Sequence, residues 1–283
     1  MNLIHAYNES CHRTPSAKTH LLRQLTSNAK KKLMDWCVKL VNTNIGETLN
    51  VLDLACGKGG DLHKWTVVQE ESIPNKLIFW QGVDFSPDSV DEANKRLLTT
   101  CGFAVNSNAV TFNVLDNCFA SDGNTLQWND HCLNLNADFF DICSIQMALH
   151  YFCQSEQDLQ SILRNVSLSL KPNGIFVTTF MDCCDLFHSR NTVFNWPAIG
   201  ISLHRHENNA YNVFIENSLP NCKEYLTNVR QIITVAREFG LVVIRNEKLN
   251  YFASVHNETG QEYLETMDFW SHFRSLVFVK KTN

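Results

Sequence analysis

The chain has 283 residues and eleven cysteines, yet no C-x-x-C pair. An odd cysteine count without paired spacing, and no signal-peptide pattern at the start, argue against a disulfide framework or a zinc site. They point to buried thiols in a reducing compartment, and no metal is expected. No run approaches the ~18 apolar residues that a membrane helix needs; the most apolar stretch, 139–152, is broken by Asp141, Gln146 and His150. An excess of basic residues is also missing: 24 Lys and Arg stand against 29 Asp and Glu, for a net charge of -5. Proteins that hold nucleic acid by a wide electrostatic face are usually basic, so a nucleic-acid partner would be held locally. Repeats and low-complexity tracts are absent. So are two phosphate-binding signatures, the P-loop and the dinucleotide pattern G-x-G-x-x-G.

What is present is a 44% hydrophobic chain long enough for a sizeable core. Its pattern alternates strands and helices. Apolar spacing predicts a helix over Ser16–Asn42, a strand over Leu49–Leu54, a helix over Asp61–Glu71 and a strand over Leu77–Phe85. Ser86-Pro87 reads as an N-cap with proline at the first helical position, opening a helix to about Thr100. Strands follow at Val110–Leu115 and Phe139–Met147, then a helix at Ser155–Leu170. Next come a turn at Pro172-Asn173-Gly174, a strand at Ile175–Phe180, a helix over Lys223–Phe239, and strands at Leu241–Lys248 and Ser275–Lys280. The polar stretches Ala120–Asn136, Cys183–Asn209 and Val255–Met267 read as insertions. Alternation of this kind implies an α/β sheet with helices on both faces.

The segment VLDLACGKGGDLHKW, Val51 to Trp65, runs from a strand through Asp53 into a glycine-rich loop. In open α/β sheets ligands bind at the carboxyl ends of the strands. Glycines at Gly57, Gly59 and Gly60 without the pyrophosphate spacing suit close backbone approach to another kind of ligand. The second strand ends in Asp84, placed to accept from both hydroxyls of a ribose. The third is followed by Asp116, placed for the exocyclic amine of adenine. A glycine loop, a ribose acid and an adenine acid together read as a site for S-adenosylmethionine. At the exit of the fourth strand, Gln146, His150 and Tyr151 are polar groups that a buried strand would not carry without partners.

Four segments, VLDLACGKGGDLHKW, GVDFSPDSVDEANKR, DICSIQMALHYF and CKEYL, resemble the successive motifs of mRNA cap guanine-N7 methyltransferases. The upstream SNAKKKLMDW is similar to that family's short Asn-containing motif, with Lys32 at its lysine. The resemblance runs from about Ser27 to Lys281. It implies a class I S-adenosylmethionine-dependent (Rossmann-like) methyltransferase fold, with a mostly parallel seven-stranded sheet. Residues 1–283 would form one domain, with 1–45 as a helical segment packed on the donor site. By position it implies a donor pocket of Lys32, Asp53, Ala55, Gly57, Asp61, Asp84, Asp116, Asn117 and Gln146. Lys32 and Asp61 would bracket the methionine end. His150, Tyr151 and Glu224 would bind guanine, with Phe273 near the base or ribose, and the Lys30-Lys31-Lys32 cluster, with Lys58 and Lys64, is a candidate for the triphosphate.

The expected reaction is methyl transfer from S-adenosylmethionine to N7 of the terminal guanosine of GpppN-capped RNA. Guanine N7 carries a free lone pair, so no general base and no catalytic residue in that sense is required. The resemblance also fits a methyltransferase module of a large-DNA-virus (asfarvirus-like) capping enzyme. That would imply guanylyltransferase and triphosphatase domains in the same polyprotein, or a stimulatory subunit, as partners. Location would then be cytoplasmic, and nuclear for a cellular enzyme. Two departures stand out: Ala55 replaces the family's usual Gly, and Phe273 a frequent Tyr. The alternatives are a methyltransferase acting on a small molecule or protein, and a non-catalytic cap-binding subunit, because fold alone does not choose substrate.

Overall fold

The computed structural model describes residues 16–41, 47–111, 118–120, 125–128, 131–136, 138–182, 191–206, 209–252 and 260–281. Its first half contains α1 (His20–Leu40), β1 (Leu49–Leu54), α2 (Leu62–Ser72), β2 (Ile78–Asp84), α3 (Pro87–Leu98) and β3 (Asn108–Thr111). After these come β4 (Cys118–Ala120), β5 (Thr125–Trp128), β6 (His131–Asn136), β7 (Phe140–Gln146), α4 (Glu156–Ser169) and β8 (Leu170–Met181). The second half adds β9 (Val193–Trp196), β10 (Ile201–Arg205), β11 (Ala210–Ile215) and β12 (Leu219–Tyr225). The chain closes with α5 (Val229–Glu238), β13 (Leu241–Lys248), α6 (Gln261–Trp270) and β14 (Phe273–Lys280).

The main sheet has seven strands in the order β13–β14–β8–β7–β1–β2–β3. Pairing is parallel through β8, β7, β1, β2 and β3, and β14 runs antiparallel between β8 and β13. Every residue of β2 and β7 is buried, as befits parallel strands covered on both faces. On one face Leu33 of α1, Trp65 of α2 and Val90 of α3 pack on Val51, Ile142 and Val177. On the other, Leu159 and Ile162 of α4 and Ile232 of α5 pack on Leu52, Phe176 and Leu276.

Local chemistry sets the helix starts. Ser86 Oγ accepts from the Ser89 N–H at 3.2 Å with Pro87 at the first helical position. Ser155 does the same for Asp158, and Asn228 for Gln231.

Three expectations are corrected. The helix expected from Lys223 begins at Val229, and Glu224 lies on a strand: Cys222 and Glu224 point inward while Lys223 is exposed, the period-two pattern of a sheet face. The turn at Pro172-Asn173-Gly174 sits inside β8 as a bulge. Phe140 pairs with Leu170 but Ile142 with Ile175, and Asn173 takes a left-handed φ of 64°. Two of the expected insertions contain strands: β9 and β10 begin the sheet β12–β11–β10–β9, which runs on past Asn209, and β4–β5–β6 form another. The third contains most of α6.

Candidate active site

A cavity of about 380 Å³ opens at the carboxyl ends of β1, β2 and β7. The loop after β1 bends sharply to form its floor, with Ala55, Gly57 and Gly59 at φ of 55°, 52° and 69°. A side chain at Gly59 would meet Leu62 Cδ1 at 2.7 Å and the Ala93 backbone at 3.3 Å. The left-handed conformation at Ala55 disfavours any residue with a Cβ, by roughly 1–2 kcal/mol. This is the physical content of the expected glycine there.

Three buried carboxylates face this cavity. Asp84 accepts from the Gly57 N–H at 2.8 Å and the Ser86 N–H at 3.0 Å, which ties the loop to the end of β2. Burial raises its carboxyl above the usual carboxylate range, against the pull of those N–H groups and that of Phe85. Asp53 is pushed up to about 7 by burial and by the neighbouring Asp61, against Lys30 and hydrogen bonds from Trp80 and Ser144. Asp61 stands at the N-cap of α2 yet makes no capping bond. Its carboxylate turns instead to Lys30 at 2.7 Å and Lys64 at 2.8 Å. Burial alone would raise this carboxyl; the two lysines outweigh it and hold it low. A residue type that normally caps a helix is here diverted to a charge cluster, a local conflict of the kind found at functional sites.

The fourth wall is Gln146 at the end of β7. Its Oε1 accepts from Thr179 Oγ1 at 2.9 Å, and its Nε2 donates to Ser144 Oγ at 3.1 Å, so its amide is fixed. The chain then turns through Met147, at a φ of 59°, into a 3-10 turn over Leu149–Phe152. That turn presents His150 and Tyr151 with ring centroids 4.3 Å apart. Tyr151 lines the cavity, and its hydroxyl donates to Glu224 Oε1 at 2.9 Å. Tyr211 donates to Glu224 Oε2 at 3.1 Å. His150 Nε2 lies 3.3 Å from Oε2, an ion-pair distance without hydrogen-bond alignment. Both ring nitrogens of the buried His150 are thereby left without a hydrogen-bond partner. Burial would raise the Glu224 carboxyl, but His150 beside it and the tyrosine hydroxyls hold it below its ordinary value. Glu224 is therefore a buried anion at neutral pH.

The structure brings Asp53, Ala55, Gly57, Asp61, Asp84, Gln146 and Tyr151 to the cavity. It places His150 and Glu224 beside Tyr151. Two of the expected residues are not among the lining of this cavity. Lys32 is exposed and donates to the Phe252 carbonyl at 3.0 Å; the lysine at the cavity is Lys30. Lys31 pairs with Glu71 at 2.9 Å. Phe273 is 4% exposed and packs edge-on against Phe269 at 5.2 Å in an apolar cluster, away from the cavity lining. Asp116 and Asn117 lie outside the described residues. Tyr211 was missed altogether, since it falls just past a stretch that reads as a polar insertion. Among the described residues no cluster of three or more His, Cys, Asp or Glu has metal-binding geometry, and no helix is long and apolar enough to cross a membrane.

Comparison with known proteins agrees with this geometry. The chain is 24% identical over 277 residues to an mRNA cap guanine-N(7) methyltransferase of Drosophila melanogaster, covering 89% of this chain and 60% of that protein. It is 31% identical over 156 residues to mRNA cap guanine-N(7) methyltransferase 1 of Arabidopsis thaliana, covering 54% of this chain and 38% of that one. The chain thus spans about 40–60% of the length of the curated relatives it matches first. A crystal structure of an S-adenosylmethionine-dependent methyltransferase from Clostridium acetobutylicum superposes with a TM-score of 0.57 at 16% identity, covering 98% of this chain and 99% of that one. The likeness shows a shared class I methyltransferase fold. The model of the mRNA (guanine-N(7))-methyltransferase domain matches residues 4–276, nearly the whole chain, and the chain belongs to that family.

Proposed function

We propose that the chain transfers the methyl group of S-adenosylmethionine to N7 of the terminal guanosine of a GpppN-capped RNA. The observation that carries this reading is Glu224: a buried carboxylate held ionised, with the buried His150 Nε2 3.3 Å from one of its oxygens, and joined through Tyr151 to the acid-lined cavity. A carboxylate accepts from both N1–H and the exocyclic amine of guanine, and an imidazole N–H can donate to O6. The cavity suits the donor. Lys30 and Asp61 offer opposite charges to a methionine end, Asp84 offers acceptors to a ribose, and the left-handed loop brings backbone close to the ligand. S-adenosylmethionine, when bound, supplies an electrophilic methyl group.

The side chains act by holding. Tyr151 stands between the two halves, lining the donor cavity and bonding the guanine acid at once. Guanine N7 has no proton to lose, so the residues need only fix N7 in line with the methyl, a role for proximity and orientation. The test is methyl transfer from labelled donor to GpppA, GTP and uncapped RNA. Transfer to GpppA far above uncapped RNA is expected; equal transfer to both, or to neither, overturns the reading.

A further inference from the structure

We infer that Tyr211 is a positioning residue for cap recognition, fixing the Glu224 carboxylate in the plane that guanine reads. The inference rests on the cap reading of Glu224 and deepens it.

Tyr211 on β11 and Glu224 on β12 are direct partners across an antiparallel pair, so their side chains share one face of the sheet at close range. The Tyr211 ring is fully buried, in a cluster with Leu22 and Leu25 of α1, Trp270 and Phe273. Full burial of the side chain limits the directions open to its hydroxyl, which donates to Oε2 at 3.1 Å. Tyr151 donates to the other oxygen, Oε1, at 2.9 Å. One phenol on each oxygen fixes the carboxylate plane from two directions. An ionised carboxylate offers roughly four acceptor positions, so each oxygen keeps capacity for an incoming donor. Guanine N1–H and its exocyclic amine form a two-pronged donor of that kind.

The two tyrosines differ in one respect. Tyr151 lines the cavity, whereas Tyr211 on β11 is not part of that lining and would act on the cap through Glu224. The groups facing the carboxylate are His150 and Tyr151 from the 3-10 turn, Tyr211 from β11 and Cys222 from β12. Removing the Tyr211 hydroxyl deletes one of the interactions that oppose the burial of the charge.

Tyr211→Phe keeps the ring and removes only the hydroxyl. The KM for GpppA should rise about 10-fold, as loss of one hydrogen bond to a charged group implies. Donor affinity by calorimetry should stay within twofold, and the acid limb of kcat/KM for GpppA should move toward neutral pH. Discrimination between GpppA and an inosine-capped dinucleotide, which lacks the exocyclic amine, should narrow. In a double-mutant cycle, Tyr211→Phe should add little to Glu224→Gln. If the hydroxyl only supports the fold, Tyr211→Phe will lower Tm while leaving the pH profile and the inosine discrimination as in the wild type, and the inference is overturned. Wild-type protein inert toward GpppA would overturn the cap reading itself, and the role of Tyr211 with it.

Discussion

At the scale of single residues, the cavity holds carboxylates pushed in opposite directions by their surroundings. Asp53, raised from the ordinary 3.8 to about 7, takes up a proton on folding. Its contribution to stability is full below pH ~4 and fades as pH rises through 7. Asp84 is raised too and adds the same sign. Asp61 is lowered, so what it contributes is lost only in acid, below the carboxylate range. The Tm of the donor-free protein should therefore fall between pH 5 and pH 8. Asp53→Asn should flatten that slope, with a gain at pH 8 of at most ~4 kcal/mol, since a tenfold proton affinity is worth about 1.36 kcal/mol. The same substitution should weaken donor binding, because the buried charge disfavours the empty fold while serving the ligand. A wild-type Tm flat across that range would dismiss the protonated Asp53.

At the scale of elements, α1 shows how much the sequence could reveal. Its buried stripe of Leu22, Leu25, Ala29, Leu33 and Cys37 follows the three-and-four spacing, and the helix was legible for that reason. Lys30 and Lys32 flank this stripe on opposite sides, about 160° apart at 100° per residue once the turns are counted. Periodicity cannot say which flank meets the glycine loop, because that depends on how the helix lies against α2. Substitution separates them. Lys30→Met should weaken donor binding by ~10-fold or more, the worth of a charge-assisted bond, and Lys32→Met by less than twofold. Equal losses in calorimetry would reject the placement of α1.

The strands of the main sheet were legible too, since fully buried parallel strands read as short apolar runs between helices. Glu224 was misread because an acid among polar residues resembles a helix's first turn. Only its pairing with β11, a contact made through space, makes it a strand residue. Phe273 lies two residues before the expected strand Ser275–Lys280 and opens β14 in the structure, and its burial beside Phe269 is a matter of packing.

At the scale of the whole molecule, a net charge of -5 limits how the chain holds a nucleic acid. On the proposed reading, the binding free energy comes from a few contacts at the cap. For single strands the slope of log K against log salt is about -0.7 per phosphate neutralised. Binding of a capped oligonucleotide should give a slope between about -1 and -2, close to that of GpppA alone. A slope of about -4 or steeper, growing with RNA length, would show an extended basic track.

The inserted sheet adds a different consequence. The chain leaves the main sheet at Met181, builds β9 to β12, and returns at Thr227, whose hydroxyl donates to the Met181 carbonyl at 2.8 Å. Departure and return are stitched at one point, the arrangement that lets a segment be inserted into a host without disturbing it. Glu224 and Tyr211 travel inside this excursion, while Asp53, Asp61 and Asp84 stay in the host. On the proposed reading, the acceptor site is thus written on two stretches of gene, Glu224 and Tyr211 in the excursion and His150 and Tyr151 in the host, so recombination at the Met181–Thr227 seam would exchange half of the acceptor site and inherit the donor acids intact.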